Sequence, residues 1–150
     1  MAFARRWIRN ILATALACGL ALGASAADIG TIKVAKGNVV VDRAGQSMPG
    51  AVGTRLQVAD TIRTGSDGSV GITMQDDSLL SAGPNSVLTL DRYAFDTTTN
   101  KGQFDTSLRK GSLAVISGKI AKESPDAMTV RTPSAILGVR GTEFVAKVDD

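Results

Sequence analysis

The strongest constraint on this chain is a period-two alternation of apolar and polar residues, broken at short intervals by turn chemistry. Val70, Ile72 and Met74 alternate with Ser69, Gly71, Thr73 and Gln75. Leu88 and Leu90 are flanked by Ser86 and Thr89, and Phe144, Ala146 and Val148 repeat the pattern near the end. Side chains two residues apart share one face of a strand, so each run predicts a half-buried β-strand. The runs are separated by Lys36-Gly37-Asn38, Arg43-Ala44-Gly45, Met48-Pro49-Gly50, Gly65-Ser66-Asp67-Gly68, Gly83-Pro84-Asn85, Asn100-Lys101-Gly102 and Lys110-Gly111. Gly, Asn, Asp and Pro mark turns because they tolerate or preset the backbone angles that a reversal needs. No segment beyond residue 26 sustains a helical period. The pattern predicts an all-β single domain of many short strands, built as a β-sandwich or as a flattened β-solenoid.

One stretch breaks the alternation. Leu88 and Leu90 face one side, whereas Tyr93 and Phe95, an odd number of residues later, face the other. A bulge near Asp91-Arg92, or a strand passing from one sheet to another, restores the phase. With so few aromatics in the chain, Tyr93 and Phe95 are expected in the core rather than on an exposed platform.

The first 26 residues are of a different kind. Arg5, Arg6 and Arg9 precede an unbroken small-and-apolar run, Ile11 to Ala24, which ends at Ala24-Ser25-Ala26. This is the pattern of a secretory leader, with cleavage expected between Ala26 and Ala27. The run is short of the roughly 20 apolar residues that a membrane-spanning helix needs. Two variants stay open: acylation at Cys18, whose Ala15-Leu16-Ala17-Cys18 context only loosely resembles a lipobox, and twin-arginine export through Arg5-Arg6. The leader holds three of the 17 basic residues and none of the 14 acidic ones, so residues 27–150 balance at 14 against 14. The formal net charge of +3 therefore belongs to the leader, and nucleic acid is not an expected partner. Cys18 is the only cysteine, so no disulfide is expected, and no stable membrane insertion is expected after cleavage.

Catalysis finds little material. The chain has no His to act as a base near neutral pH, and its serines have no visible activating partner. Asp76 and Asp77 are adjacent, so they would point to opposite faces of a strand or both be solvated in a turn, and neither arrangement splits their pKa values. Asp67, Asp76 and Asp77 could converge across the Gly65 to Gly68 hairpin, but no spaced calcium loop is present. The chain reads as a non-enzyme with no cofactor and no metal.

Four ordered motifs carry a family resemblance. Asp60-Thr61-Ile62-Arg63-Thr64-Gly65 followed by Ser69-Val70-Gly71-Ile72 is similar to a "D-x-I-x-T-G" strand pair. Asp77-Ser78-Leu79 with Gly83-Pro84-Asn85-Ser86 resembles a "D-G-S … P-x-S" segment, although the glycine between acid and serine is missing. Arg109-Lys110-Gly111-Ser112-Leu113 matches "L-x-x-G-x-L" in part. Val130-Arg131-Thr132-Pro133-Ser134-Ala135, then Val139-Arg140-Gly141-Thr142-Glu143-Phe144, resembles a "V-x-T-P-x-A … V-R-G-T-x-F" ending. Together these resemble the FecR-like domain, the extracytoplasmic region of iron-citrate signalling regulators in Gram-negative bacteria. The resemblance covers roughly residues 51–148.

The resemblance implies fold and compartment more than mechanism. Its motif residues, Asp60, Thr64, Gly65, Asp77, Ser78, Pro84, Ser86, Gly111, Thr132, Pro133, Arg140, Gly141, Thr142 and Phe144, are expected to be structural. For Arg140 two roles stay open: tying down a turn, with Asp60 or Asp76 as its partner, or presenting a bidentate fork to an anionic ligand. Regulators of this family that control sigma factors also have a cytoplasmic segment and a membrane-spanning helix, so this chain is expected to be the stand-alone exported domain. The expected function is a non-enzymatic binding or interaction module of the periplasm, with an envelope protein or a peptidoglycan-associated ligand as partner. Two alternatives are an accessory regulator that contacts a separate membrane signalling protein, and a structural or adhesive component of the cell surface. Few exposed aromatics argue against sugar stacking, while the segment from Glu143 to Lys147 is a candidate free sheet edge, flanked by charges that would guard it.

Overall fold

The computed structural model describes residues 26–141 and 143–149. The expected leader up to residue 25, with Cys18, lies outside the described residues, as does Thr142. Twelve strands and one short helix follow in order: β1 (Gly30–Lys36), β2 (Val39–Arg43), β3 (Gln46–Pro49), β4 (Arg55–Leu56), β5 (Thr61–Thr64), β6 (Ser69–Met74), β7 (Leu79–Ala82), β8 (Val87–Phe95), β9 (Gly102–Ile116), α1 (Lys119–Glu123), β10 (Met128–Arg131), β11 (Ile136–Gly138) and β12 (Glu143–Val148). The all-β expectation holds. A single turn of helix is too short to leave a period in the sequence, and α1 forms because burying Ile120 and Ala121 rewards it.

The strands make one curled sheet whose two halves share β9. The B half runs β3-β2-β5-β8-β9-β10-β11 and the A half β4-β1-β6-β7-β9-β12. All pairings are antiparallel except β9 with β10, which is parallel. Inward side chains of both halves, among them Ile32, Ile72 and Leu80 from one and Val41, Ile62 and Leu88 from the other, form a single buried cluster. The alternation in β6 is read directly: Val70, Ile72 and Met74 are buried and the residues between them are not.

Lys110-Gly111 is not a chain reversal. β9 runs through it as one strand of 15 residues, pairing with β8 and β10 before this point and with β7 and β12 after it. Gly111 has φ +89, and a Cβ there would run into Ser86. Only glycine allows this bend, which carries the strand from one half to the other. The phase change in β8 is a bulge: register shifts between Leu90 and Arg92, and Tyr93 is then buried while Phe95 is half-buried against the core. The Tyr93 ring meets Phe104 edge to face, with centroids 5.1 Å apart.

Candidate functional site

Asp60, Thr64, Ser78 and Ser86 of the motifs take part in buried polar clusters, whereas the C-terminal motif lies at the surface. The first cluster is built on Asp76, in the turn between β6 and β7, which is wholly buried. Its Oδ2 accepts hydrogen bonds from Ser78 Oγ at 2.7 Å and from the Ile120 N–H at 3.2 Å. Its Oδ1 accepts from the Ser78 N–H at 3.2 Å and from Tyr93 Oη at 3.1 Å. The Asp76 N–H donates to Tyr93 Oη at 2.8 Å, and Ser78 Oγ accepts the Gly118 N–H at 3.0 Å. One carboxylate thus ties the β6–β7 turn to β8 and to the start of α1. Burial first, then the neighbouring Asp76 charge, holds the Tyr93 hydroxyl well above its ordinary pKa.

This arrangement corrects two expectations. Asp76 is not solvated in its turn, and it, not Asp77, is the acid that the serine caps. Asp77 stands where the family pattern has glycine: its φ is +66, a left-handed conformation, and its side chain turns out to Lys119 at 3.0 Å. Ser78 is buried and bonded to a carboxylate already filled by other donors, so it has neither a free base nor a path to a substrate.

The second cluster is built on Asp60, at the entry to β5 and also wholly buried. Arg43 holds it with two parallel bonds, Nε to Oδ1 at 2.8 Å and Nη2 to Oδ2 at 2.7 Å, and the Gln57 N–H adds a third at 2.8 Å. This fork on a carboxylate is the strong, charge-assisted form of hydrogen bond, and it keeps the Arg43 guanidinium charged. A third cluster sits where the halves meet. Thr64 Oγ1 donates to Gly83 O at 2.6 Å and accepts the Ser86 N–H at 2.9 Å, while Ser86 Oγ accepts the Ser112 N–H at 3.0 Å. Gly65 accepts the Asn85 N–H on its carbonyl, next to Pro84, whose carbonyl accepts Ser86 Oγ.

The C-terminal motif lies apart from these clusters. Arg140 pairs with Asp126 at 2.7 Å, both well exposed, and with neither Asp60 nor Asp76, whose acceptors are taken. Gly141 has φ +100, as a residue fixing a turn would, and its carbonyl accepts Ser117 Oγ at 2.8 Å. Thr132 Oγ1 accepts the Ala135 N–H across a turn that carries the exposed Pro133. Phe144 is half-buried against the core. Asp67 faces the Asn38 N–H, so the three carboxylates considered for calcium do not converge, and no group of acidic residues among the described residues could hold a metal. Ala26 and Ala27 are exposed at the beginning of the described chain.

The outward surfaces differ sharply. On the B half, Arg63 pairs with Asp42 at 2.6 Å, with the Ser47 hydroxyl and the Arg63 guanidinium holding the Asp42 carboxyl below its usual range. Arg92 lies 3.8 Å from Asp105, and Arg109 and Arg131 border a shallow groove of ≈ 200 Å³ with Ser107, Thr132 and Pro133. On the A half, the register sets Val34, Gly71, Ser81, Ala114 and Val145 in one row and Thr73, Leu79, Ile116 and Glu143 in the next. Val34 is 47% exposed, Leu79 40%, Ile116 42% and Val145 66%. These side chains point away from the core; Leu79 and Ile116 stand side by side with Val145 on the next strand, while Gly71, Ser81 and Thr73 lie between them and Val34, and exposed apolar side chains grouped in this way mark a candidate contact surface.

The sequence missed the Arg43–Asp60 fork and the burial of Asp76, and it gave no hint of the apolar outer face. The comparisons with known proteins agree with the motifs. The family model described as FecR protein matches residues 60–150. No curated protein and no solved structure matches the chain. The family is one of regulatory, envelope-associated modules related to signalling, and among the described residues no helix is long and apolar enough to cross a membrane. The match begins at the very aspartate that Arg43 holds and takes in all four motifs and the outer rows of β6, β7, β9 and β12, and by it the chain belongs to the FecR family.

Proposed function

We propose that residues 27–150 act as a non-enzymatic interaction module of the periplasm, exported by a leader cleaved between Ala26 and Ala27, and that the module engages an envelope protein. The observation that carries this reading is the outer face of the A half, where Leu79, Ile116 and Val145 are exposed on the adjoining strands β7, β9 and β12, and Val34 is exposed on β1, beyond β6. The buried polar residues argue in the same direction from inside. Asp60, Asp76, Ser78, Thr64 and Ser86 are each consumed in bonds that tie strands together, which leaves the chemistry of the chain on its surface.

The accessory-regulator reading is the specific form we favour, because the family is related to signalling regulators. Crosslinking in cells, purification under denaturing conditions and mass spectrometry of the attached material test it. A single recurrent membrane protein is the expected result. Attached muropeptides, or no specific protein, would move the assignment to a wall-associated component.

A further inference from the structure

β12 is the last strand of the A half, and among the described residues it pairs on one side only, with β9. Its outer N–H and C=O groups have no strand beside them, and such an edge is a template for another strand. Glu143, Val145 and Lys147 point outward and are exposed, while Phe144, Ala146 and Val148 turn toward the core. The order acid, apolar, base along the outer face reads as its own complement when reversed. We propose that the β12 edge pairs antiparallel with the β12 edge of a second copy of this chain, about a two-fold axis at Val145.

The register follows from charge. In an antiparallel pair, residues directly opposite one another share a face. An axis at Val145 sets Glu143 opposite the partner's Lys147 and Lys147 opposite the partner's Glu143, and it sets the Val145 side chains of the two copies against each other. An axis one residue further on, at Ala146, would instead set Glu143 opposite the partner's Asp149, and like charges facing across strands repel. Lys147 already lies 3.3 Å from Asp149, but both are more than 70% exposed, and such a pair contributes little on its own, so Lys147 remains available to a second carboxylate.

The same pairing lengthens the apolar row. Val34, Gly71, Ser81, Ala114 and Val145 would run on through the partner's Val145 into a second such row, and two A halves would become one continuous sheet. The interface is isologous, which closes at two copies and leaves no free β12 edge for further addition. A lysine on an edge strand usually guards against pairing; here Glu143 turns the guard into a selector for one register and one partner.

The inference goes beyond the proposed function and is independent of it: loss of the envelope partner leaves it standing, and a monomeric chain leaves the envelope partner standing. The test is sedimentation of the protein purified from cells expressing and exporting the full chain, at up to about 100 µM, where a weak interface is populated. A reversible dimer is expected. Glu143→Lys should raise its dissociation constant by roughly tenfold or more, because two opposite-charge pairs become like-charge pairs. Glu143→Lys combined with Lys147→Glu should restore the dimer. Circular dichroism of each variant separates a lost interface from a lost fold. A wild-type chain that stays monomeric, a dimer indifferent to Glu143→Lys, a folded charge-swapped chain that stays monomeric, or an edge occupied by a different protein would each overturn the proposal.

Discussion

In the B half, charge is answered by charge: Arg43 forks onto the buried Asp60, and outside it Asp42 holds Arg63. In the A half, Asp76 is buried with only neutral donors around it, from hydroxyls and backbone N–H groups, and the outer face above it is apolar. The outer face of the B half carries Arg63 paired with Asp42, Arg92 beside Asp105, and Arg109 and Arg131, with Ile136 of β11 as an exposed apolar side chain at its edge. The A half leaves Val34, Leu79, Ile116 and Val145 exposed with no core to fill, which is why the proposed envelope contact is placed on that half. The difference also separates two ways of burying a carboxylate, one held by an arginine fork with one backbone N–H beside it and one held by neutral donors alone.

Asp76→Ala is expected to have the largest effect, because it leaves the Ser78 hydroxyl, the Tyr93 hydroxyl and two backbone N–H groups without an acceptor in the core. With each stranded group costing about 1–3 kcal/mol, a loss of roughly 4 kcal/mol or more in unfolding free energy is expected by chemical denaturation. Arg43→Ala should follow. Removing one partner of a buried pair typically costs about 3–5 kcal/mol, and the partial exposure of Arg43 lowers the expectation to roughly 2–3 kcal/mol, since water can reach part of the site. If Arg43→Ala proved as costly as Asp76→Ala, the distinction between the two burials would fail.

Tyr93→Phe acts on the Asp76 cluster from β8. It removes one donor to Asp76 and one acceptor from the Asp76 N–H, for an expected loss of about 1–2 kcal/mol. It also has a pH signature. The Tyr93 pKa is raised on folding, so its contribution is fully present below the ordinary value of about 10 and is lost as pH rises beyond it, when the unfolded chain ionises first. Denaturation across the alkaline range should show the wild type losing stability relative to Tyr93→Phe from about pH 10 upward. Tyr93 is the only tyrosine, so tyrosinate absorbance reads the same event directly. The smallest effect is expected at Asp77. Asp77→Gly removes the strain of a left-handed non-glycine residue, worth about 1 kcal/mol, against the lost surface contact with Lys119 and the added freedom of glycine, leaving a net stabilisation below about 1 kcal/mol.

Much of the fold was legible because strand alternation is a local signal. Ser69 to Met74 could be read residue by residue, and the bulge after Leu90 announced itself as a change of phase. Lys110-Gly111 was misread as a turn because glycine marks a bend as readily as a reversal, and only the partners of β9 on either side tell the two apart. Asp76 was misread because a charged residue in a turn is normally solvated; its donors come from Tyr93 and Ile120, 17 and 44 residues away. The Arg43–Asp60 fork likewise joins residues 17 apart that no short motif links. The outer face of the A half is invisible in sequence because it is assembled from strands β1, β7, β9 and β12, each of which contributes a single exposed apolar residue.

The proposed contact is made by the outer face of the A half and not by the charged face of the B half. The direct test is in-cell crosslinking of two variants side by side, Ile116→Lys on the first face and Arg131→Glu on the second, with the denaturation midpoint of each as a control. Ile116→Lys is expected to lose the crosslinked partner while keeping a near wild-type midpoint, and Arg131→Glu is expected to keep both. Retention of the partner by Ile116→Lys together with its loss in Arg131→Glu would place the contact instead in the groove beside Arg109 and Arg131.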